Sequence, residues 1–181
     1  MLFTTLFIGI IFYSIIVKLG EILGLSSEVS PGQIGAIGTA ANIGVAVGTQ
    51  LFRRIKDASA PMLVLIGLAL AAIGYVGAAT SGSLALTSVS VVVACIGFGI
   101  LLPTMFTWVL QLLPNTVRGR GTGLWTGVFF FGQFFAPVLA AMLQSKLGGL
   151  ENVLLLFAGL CAVGMVLAAT RLRGAASLQT R

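Results

Sequence analysis

Uncharged polar and aromatic side chains recur at helical spacing along the chain, and these residue types can bind an organic solute. Thr104, Trp108 and Gln111 are four and three residues apart, which places them on one face of a helix. A polar group that faces lipid without a partner is costly, so such faces should point toward a cavity or another helix. Aromatic rings can stack on a solute while amides and hydroxyls orient it. The candidates for lining a substrate path are Tyr13, Asn42, Thr104, Trp108, Gln111, Trp125 and Gln133.

A structural interpretation of the same residues stays open. Interhelical hydrogen bonds explain the amides and hydroxyls, and an anchoring role at the membrane interface explains the tryptophans. Trp125 and Gln111 lie near the ends of their apolar stretches, where an interfacial role is favoured.

Catalytic and metal-binding templates are missing from the sequence. The chain has no histidine, which excludes Ser-His and Cys-His dyads, and it contains neither a Walker A lysine motif nor G-x-S-x-G. Its cysteines and carboxylates do not cluster, so a metal site has no ligands. We therefore expect no enzyme, metal or cofactor, and an intramembrane enzyme is only a third alternative.

The composition is that of a polytopic membrane protein. Of 181 residues, 58% are hydrophobic and 8% are charged, and the mean hydropathy is +1.13. A soluble domain carries roughly 25% charged residues. Residues 58–117 contain no Asp, Glu, Lys or Arg, which is enough for two crossings at about 20 residues each. No cleavable signal peptide is recognisable at the apolar start.

Six apolar spans divide the chain. Ser30 and Pro31 are a plausible N-cap and first-turn proline of the second span, and residues 80–83 form a tight polar turn between the third and fourth. The predicted spans are about 2–24, 31–52, 60–80, 84–113, 120–145 and 150–171, within a bundle over 1–173 that precedes a tail at 174–181.

Small residues and prolines predict how these spans pack. Gly119, Gly123 and Gly127 lie four residues apart on one face of the fifth span, and such faces let helix backbones approach closely. Prolines inside long spans are expected to kink them. The predicted packing and kink residues are Gly119, Gly123, Gly127, Gly132, Pro103 and Pro137.

The basic residues predict the orientation. Eight of the ten Lys and Arg residues fall on one side of the six spans and two on the other, so the positive-inside rule places both termini in the cytoplasm. This distribution explains the net charge of +6 without a nucleic-acid partner. The larger group is Arg53, Arg54, Lys56, Arg118, Arg120, Arg171, Arg173 and Arg181, and the smaller is Lys18 and Lys146.

One loop resembles a signature of the major facilitator superfamily. The stretch GTQLFRRIKD is similar to the loop between the second and third helices of each half of such transporters. Phe52 stands where the signature has aspartate and Ile55 where it has its second glycine, so the copy is degenerate. The residues that fit are Gly48, Arg53, Arg54 and Lys56.

Three further stretches carry the same resemblance across the whole chain. LGEILGLSSEVSPGQIGAI looks like the seventh helix and the entry to the eighth. LPNTVRGRGTGLWTG, with Arg118 and Arg120, is similar to the turn before the eleventh helix. GQFFAP, from Gly132 to Pro137, looks like a weakened glycine-proline kink.

The resemblance implies an all-α integral membrane protein that corresponds to the C-terminal half of a 12-helix transporter, of a bacterial solute or drug efflux type. Its six transmembrane helices would form one bundle, a 3+3 inverted repeat. The implied function is secondary active transport of a small organic solute by alternating access, with a coupling ion such as a proton. The implied partners are the lipid bilayer of the cell membrane and a second six-helix bundle. The implied cavity position favours Tyr13, Thr104 and Trp108.

One alternative from another class stays open. In it, the chain is a structural or assembly subunit that binds a partner membrane protein without transporting by itself.

Overall fold

The computed structural model describes residues 2–55 and 57–179, with side chains through 170, and its regular structure in these ranges is entirely helical. The predicted motif residue Lys56 lies outside the described residues. The helices are α1 (Leu2–Val17), α2 (Leu19–Gly24), α3 (Pro31–Ile55), α4 (Ala60–Thr80), α5 (Leu84–Leu112), a 3₁₀ helix (Asn115–Val117), α6 (Arg118–Leu147) and α7 (Leu150–Gln179).

In the described part of the chain, five helices, α3 to α7, are long and apolar enough to cross a membrane. The expected first span is divided at Lys18 into α1 and α2, and the 16 residues of α1 extend only about 24 Å. Helical hydrogen bonding continues across the break, because the Lys18 amide donates to Ser14 and the Lys18 carbonyl accepts from Ile22. A second difference lies at the C-terminal end, where α7 continues to Gln179.

Side-chain caps determine where two helices begin. Ser30 and Gln33 form a capping box. The backbone amide of Gln33 donates to Ser30 Oγ at 3.3 Å, and the backbone amide of Ser30 donates to Gln33 Oε1 at 2.8 Å. Pro31 is the first residue of α3, as predicted. Ser83 caps α5 by accepting from the Leu86 amide at 3.4 Å.

Gly148 ends α6. Its φ of 78° lies in the left-handed region, which glycine adopts without steric cost.

The long helices pack in two groups. α4 packs against both α5 and α7, and α3 packs against α5, while α1 packs mainly against α6. α3 and α5 run parallel, since Gly44 faces Val92 and Gly48 faces Ile96. α4 runs antiparallel to α5. The C-terminal ends of α3 and α5 therefore meet at the N-terminal end of α4.

A glycine crossing holds α3 against α5. A methyl group added at Gly48 would collide with the Ile96 carbonyl, and one added at Gly99 would collide with the Val45 carbonyl. Gly48, the first residue of the predicted loop motif, therefore lies inside α3 and packs against α5. The absence of side chains is what allows the two backbones this close approach.

The same crossing compensates for Pro103. Proline has no amide hydrogen, so Pro103 cannot donate to the Gly99 carbonyl one turn earlier in α5. The Thr49 hydroxyl of α3 lies 3.2 Å from this carbonyl and 3.0 Å from the Val45 carbonyl of its own helix, so its one proton is shared between the two acceptors. Helical structure continues through Pro103, and it also continues through Pro137 of α6.

Aromatic rings connect the two groups of helices. Phe12 of α1 contacts Phe98 of α5 edge to face at 5.3 Å and lies 6.3 Å from Phe129 of α6. Tyr75 of α4 meets both Phe98 and Phe157 of α7. The Tyr75 hydroxyl donates to the Ile11 carbonyl of α1, which ties α4 to α1.

The glycines of α6 differ in what they contact. Gly132 packs against α1, because a methyl group there would lie 2.5 Å from the Leu6 carbonyl oxygen. Gly119, Gly123 and Gly127 are exposed, and a methyl group at any of them would lie more than 4 Å from every other helix in the described ranges. The face of α6 that contains Trp125 and Gly132 contacts α1, and the other three glycines form an open stripe away from it.

Candidate functional site

Four arginines mark one end of the bundle, which we call the basic end. Arg53 and Arg54 lie in the last turn of α3, and Arg118 and Arg120 lie in the first turn of α6. All four are exposed. The α3–α4 loop and the α5–α6 turn belong to the same end, because α3 and α5 finish side by side.

A cavity of about 540 Å³ opens between the elements that meet at the basic end. The last turn of α3, the α3–α4 loop, the first turns of α4 and the C-terminal third of α5 form its wall. The described residues that line it are Phe52, Asp57, Ala58, Ser59, Ala60, Leu63, Thr104, Thr107, Trp108 and Gln111.

The inner wall of this cavity is mainly apolar. Leu63 and Thr104 are buried, and Trp108 is half-buried. The hydroxyl of Thr104 donates to the Ile100 carbonyl at 2.7 Å, so its proton is used within α5. The oxygen of Thr104 still has acceptor capacity, which a solute with a donor group can use.

The rim of the cavity is polar. Asp57, Thr107 and Gln111 are exposed, so a carboxylate, a hydroxyl and an amide stand at the entrance. Thr107 donates to the Pro103 carbonyl at 2.7 Å and, like Thr104, keeps its oxygen as an acceptor. An apolar inner wall with polar groups at its edge is suited to an amphipathic organic molecule.

Three of the seven substrate-path candidates line this cavity, namely Thr104, Trp108 and Gln111. The other four lie elsewhere. Tyr13 is half-buried in α1, Gln133 is half-buried in α6, Asn42 is exposed on α3 and Trp125 is buried on α6. The Asn42 side-chain amide donates to the Gly38 carbonyl of its own helix at 2.9 Å, and it makes no interhelical hydrogen bond with another described residue.

Trp125 belongs to the aromatic core. Its ring stacks on Phe129 at 5.7 Å and contacts Phe106 edge to face at 5.4 Å. Its Nε1 is buried and has no acceptor among the described residues. The indole therefore contributes packing area but leaves one donor unpaired.

The sequence alone did not identify four polar or aromatic residues of the cavity: Phe52, Asp57, Ser59 and Thr107. One signal was available for Asp57, since it is the one acidic residue between Glu28 and Glu151 and directly follows a basic run. Thr107 falls between Thr104 and Gln111 in the spacing pattern. No local pattern indicated Phe52 or Ser59.

The comparison with protein families matches the major facilitator superfamily model to residues 1–179. The chain belongs to the major facilitator superfamily. Together with the apolar helices, this makes it a multi-pass membrane protein of a transporter family rather than of an enzyme family. A comparison with curated proteins finds no match.

Two arginines of this major facilitator chain have defined contacts at the basic end. Arg53 donates to Gln50 Oε1 at 3.2 Å, one turn earlier in α3, and the two residues line a shallow depression together with Arg54. Arg118 Nε donates to the Leu113 carbonyl at 3.2 Å. This bond satisfies a carbonyl that the end of α5 leaves free, and it links α5 to the start of α6.

Proposed function

We propose that the chain moves a small organic solute across the membrane by alternating access, as part of a secondary active transporter. The supporting observation is the cavity at the basic end, which collects Thr104, Trp108 and Gln111 in a chain of the major facilitator superfamily. An aromatic ring, hydroxyl oxygens and an amide around one volume can bind such a solute. We propose that this cavity is part of the solute path.

The proposal includes a six-span topology. Taken together, α1 and α2 cover residues 2–24, which as a continuous helix extend about 34 Å and can cross a hydrocarbon core of about 30 Å. With α3 to α7 this gives six spans, which we propose to be a 3+3 inverted repeat. The arginine-rich basic end then faces the cytoplasm, together with both termini, in the cell membrane.

A second six-helix bundle completes this proposal. The open stripe of Gly119, Gly123 and Gly127 on α6 supports it, because a small-residue face has room for another helix. In this proposal the chain corresponds to the C-terminal half of a bacterial solute or drug efflux transporter. A coupling ion such as a proton drives transport, and no cofactor takes part.

Solute flux into proteoliposomes tests the function, with the chain reconstituted alone and together with a second six-helix half. We expect Trp108→Ala to raise the KM for an aromatic solute about tenfold, since a stacked aromatic contributes roughly 0.5–1.5 kcal/mol beyond its buried area. Trp108→Phe should retain most of the affinity. Val89→Ala, on the exposed outer half of the same helix, is the matched control.

The same reconstitution separates transport from an assembly role. Stable binding of a partner membrane protein with no flux across a broad solute panel would favour the assembly subunit. The open glycine stripe of α6 is the observation that supports the assembly role.

A further inference from the structure

We infer that the cavity at the basic end selects an organic cation, with Asp57 as its counter-charge and Phe52 and Trp108 as its aromatic walls. This inference rests on the proposed function and specifies the substrate class of the same site. Four observations support it, and they concern the carboxylate, the rings, the remaining polar groups and the start of α4.

The carboxylate of Asp57 is free to pair with a ligand. It is exposed, and it makes no ion pair or hydrogen bond with another residue in the described ranges. The nearby arginine Arg53 bonds Gln50, and Arg118 bonds the Leu113 carbonyl. Within the described residues, the ion pair joins Lys18, between α1 and α2, to Glu21 of α2, and neither residue lines this cavity.

The aromatic rings of the cavity are also available. Phe52 and Trp108 are both half-buried and line the cavity, and neither ring contacts another aromatic ring among the described residues. A cation over the face of such a ring gains roughly 0.5–2 kcal/mol. This arrangement contrasts with Trp125, whose ring is covered by Phe129 and Phe106.

The remaining polar groups favour a ligand that donates hydrogen bonds. The hydroxyls of Thr104 and Thr107 donate hydrogen bonds to carbonyls of α5, so only their oxygen lone pairs remain available to a ligand in the cavity. Among the residues of the cavity wall that the structure describes, there is no lysine or arginine. An ammonium group needs acceptors and a negative charge, and the cavity wall supplies both.

The N-terminal end of α4 also lines the cavity, and helix N-terminal ends commonly attract anions through their free amides. Here few amides are free. The Met62 and Leu63 amides both donate to the Ser59 carbonyl, at 2.9 and 3.1 Å, and Pro61 has none to offer. The negative charge of Asp57 three residues before Ala60 further opposes an anion.

Equilibrium binding of two probes tests the charge preference on the wild-type chain in zwitterionic lipid nanodiscs. Tetraphenylphosphonium and tetraphenylborate have nearly the same size and shape but opposite charge, and empty nanodiscs correct for partitioning into lipid. We expect specific binding of the cation at least tenfold tighter than that of the anion. Equal binding, or tighter binding of the borate, would overturn the inference without any variant.

Variants assign this preference to the named residues. Asp57→Asn should weaken binding of tetraphenylphosphonium about tenfold, while Asp57→Glu, which keeps the charge, should retain most of it. Glu28→Gln removes an exposed carboxylate outside the cavity and should change nothing. Unchanged affinity in Asp57→Asn would mean that the carboxylate only stabilises the positive N-terminal end of α4.

Flux and binding together distinguish the two proposals. Flux of a neutral solute that depends on Trp108 but not on Asp57 would uphold transport and overturn the cation preference. Asp57-dependent binding of tetraphenylphosphonium without flux of any solute would uphold the cation site and reject the transport function.

Discussion

Tyr75 and Trp125 are both buried aromatic residues, but among the described residues the polar group of Tyr75 is hydrogen-bonded and that of Trp125 is not. The Tyr75 hydroxyl donates to the Ile11 carbonyl and so links α4 to α1. The Trp125 indole nitrogen is equally enclosed but has no acceptor among the described residues. A buried donor without a partner costs about 1–3 kcal/mol, whereas a satisfied one contributes about 0.5–1.5 kcal/mol. Removal of the polar group should therefore lower the stability of the chain at Tyr75 and leave it unchanged or raise it at Trp125.

We predict that Tyr75→Phe lowers the free energy of unfolding by about 1 kcal/mol, because the interhelical hydrogen bond is lost. Trp125→Phe should leave this free energy unchanged or raise it by about 1 kcal/mol, since the unpaired donor disappears and an aromatic ring remains against Phe129. Unfolding of the purified chain in mixed micelles measures both. The prediction is wrong if Trp125→Phe is the more destabilising of the two.

At the scale of elements, the α3–α5 pair determines the geometry of the candidate site. Gly48 and Gly99 bring the two backbones together, and Thr49 supplies the hydrogen bond that Pro103 removes from α5. The last turns of both helices are consequently held side by side, with Phe52 on one and Trp108 on the other. A looser crossing would change the width of the cavity between them.

We expect Gly99→Ala to lower the stability of the chain by about 1–3 kcal/mol, the usual cost of overfilling a packed site. The cavity wall should also shift, so solute binding should weaken. Gly35→Ala is the control, because a methyl group there meets no atom within 4 Å and should add about 0.5–1 kcal/mol of helix propensity. Thermal unfolding and solute affinity are the readouts, and equal stability of the two variants would contradict the packing argument.

At the scale of the molecule, the bundle has a closed core and, on α6, an open stripe of glycines. Tyr75, Phe98 and Phe129 close the core between five helices. The glycine stripe of α6 is outside it and has no neighbour in the described chain. The basic end gathers four exposed arginines, and this asymmetry of charge should set the orientation in the membrane.

We predict that Asn115→Cys, in the exposed turn between α5 and α6, reacts with a membrane-impermeant maleimide only from the cytoplasmic side. Ser27→Cys, exposed in the loop between α2 and α3 at the opposite end, should react only from outside. Labelling of intact cells against inverted vesicles measures both. External labelling of Asn115→Cys would reverse the proposed orientation.

Local sequence patterns predict several features of the architecture. Apolar length predicts that the chain is a membrane protein, and the family comparison confirms both this class and the superfamily. Ser30, Pro31 and the turn at residues 80–83 mark helix ends through capping and turn chemistry that depends on near neighbours. Helical spacing grouped Thr104, Trp108 and Gln111, which line one cavity, although their role in transport stays a proposal.

The sequence by itself determined the membrane class and the family, because both depend on patterns of residues that are close together in the chain. Only the tertiary structure decided which glycines pack, since Gly132 contacts α1 while Gly123 contacts no other helix of the described chain. It also decided that Asp57 and Trp108 share a cavity. These two residues come together because α3 and α5 end at the place where α4 begins. Helical periodicity within one segment does not show which segments are neighbours in the fold.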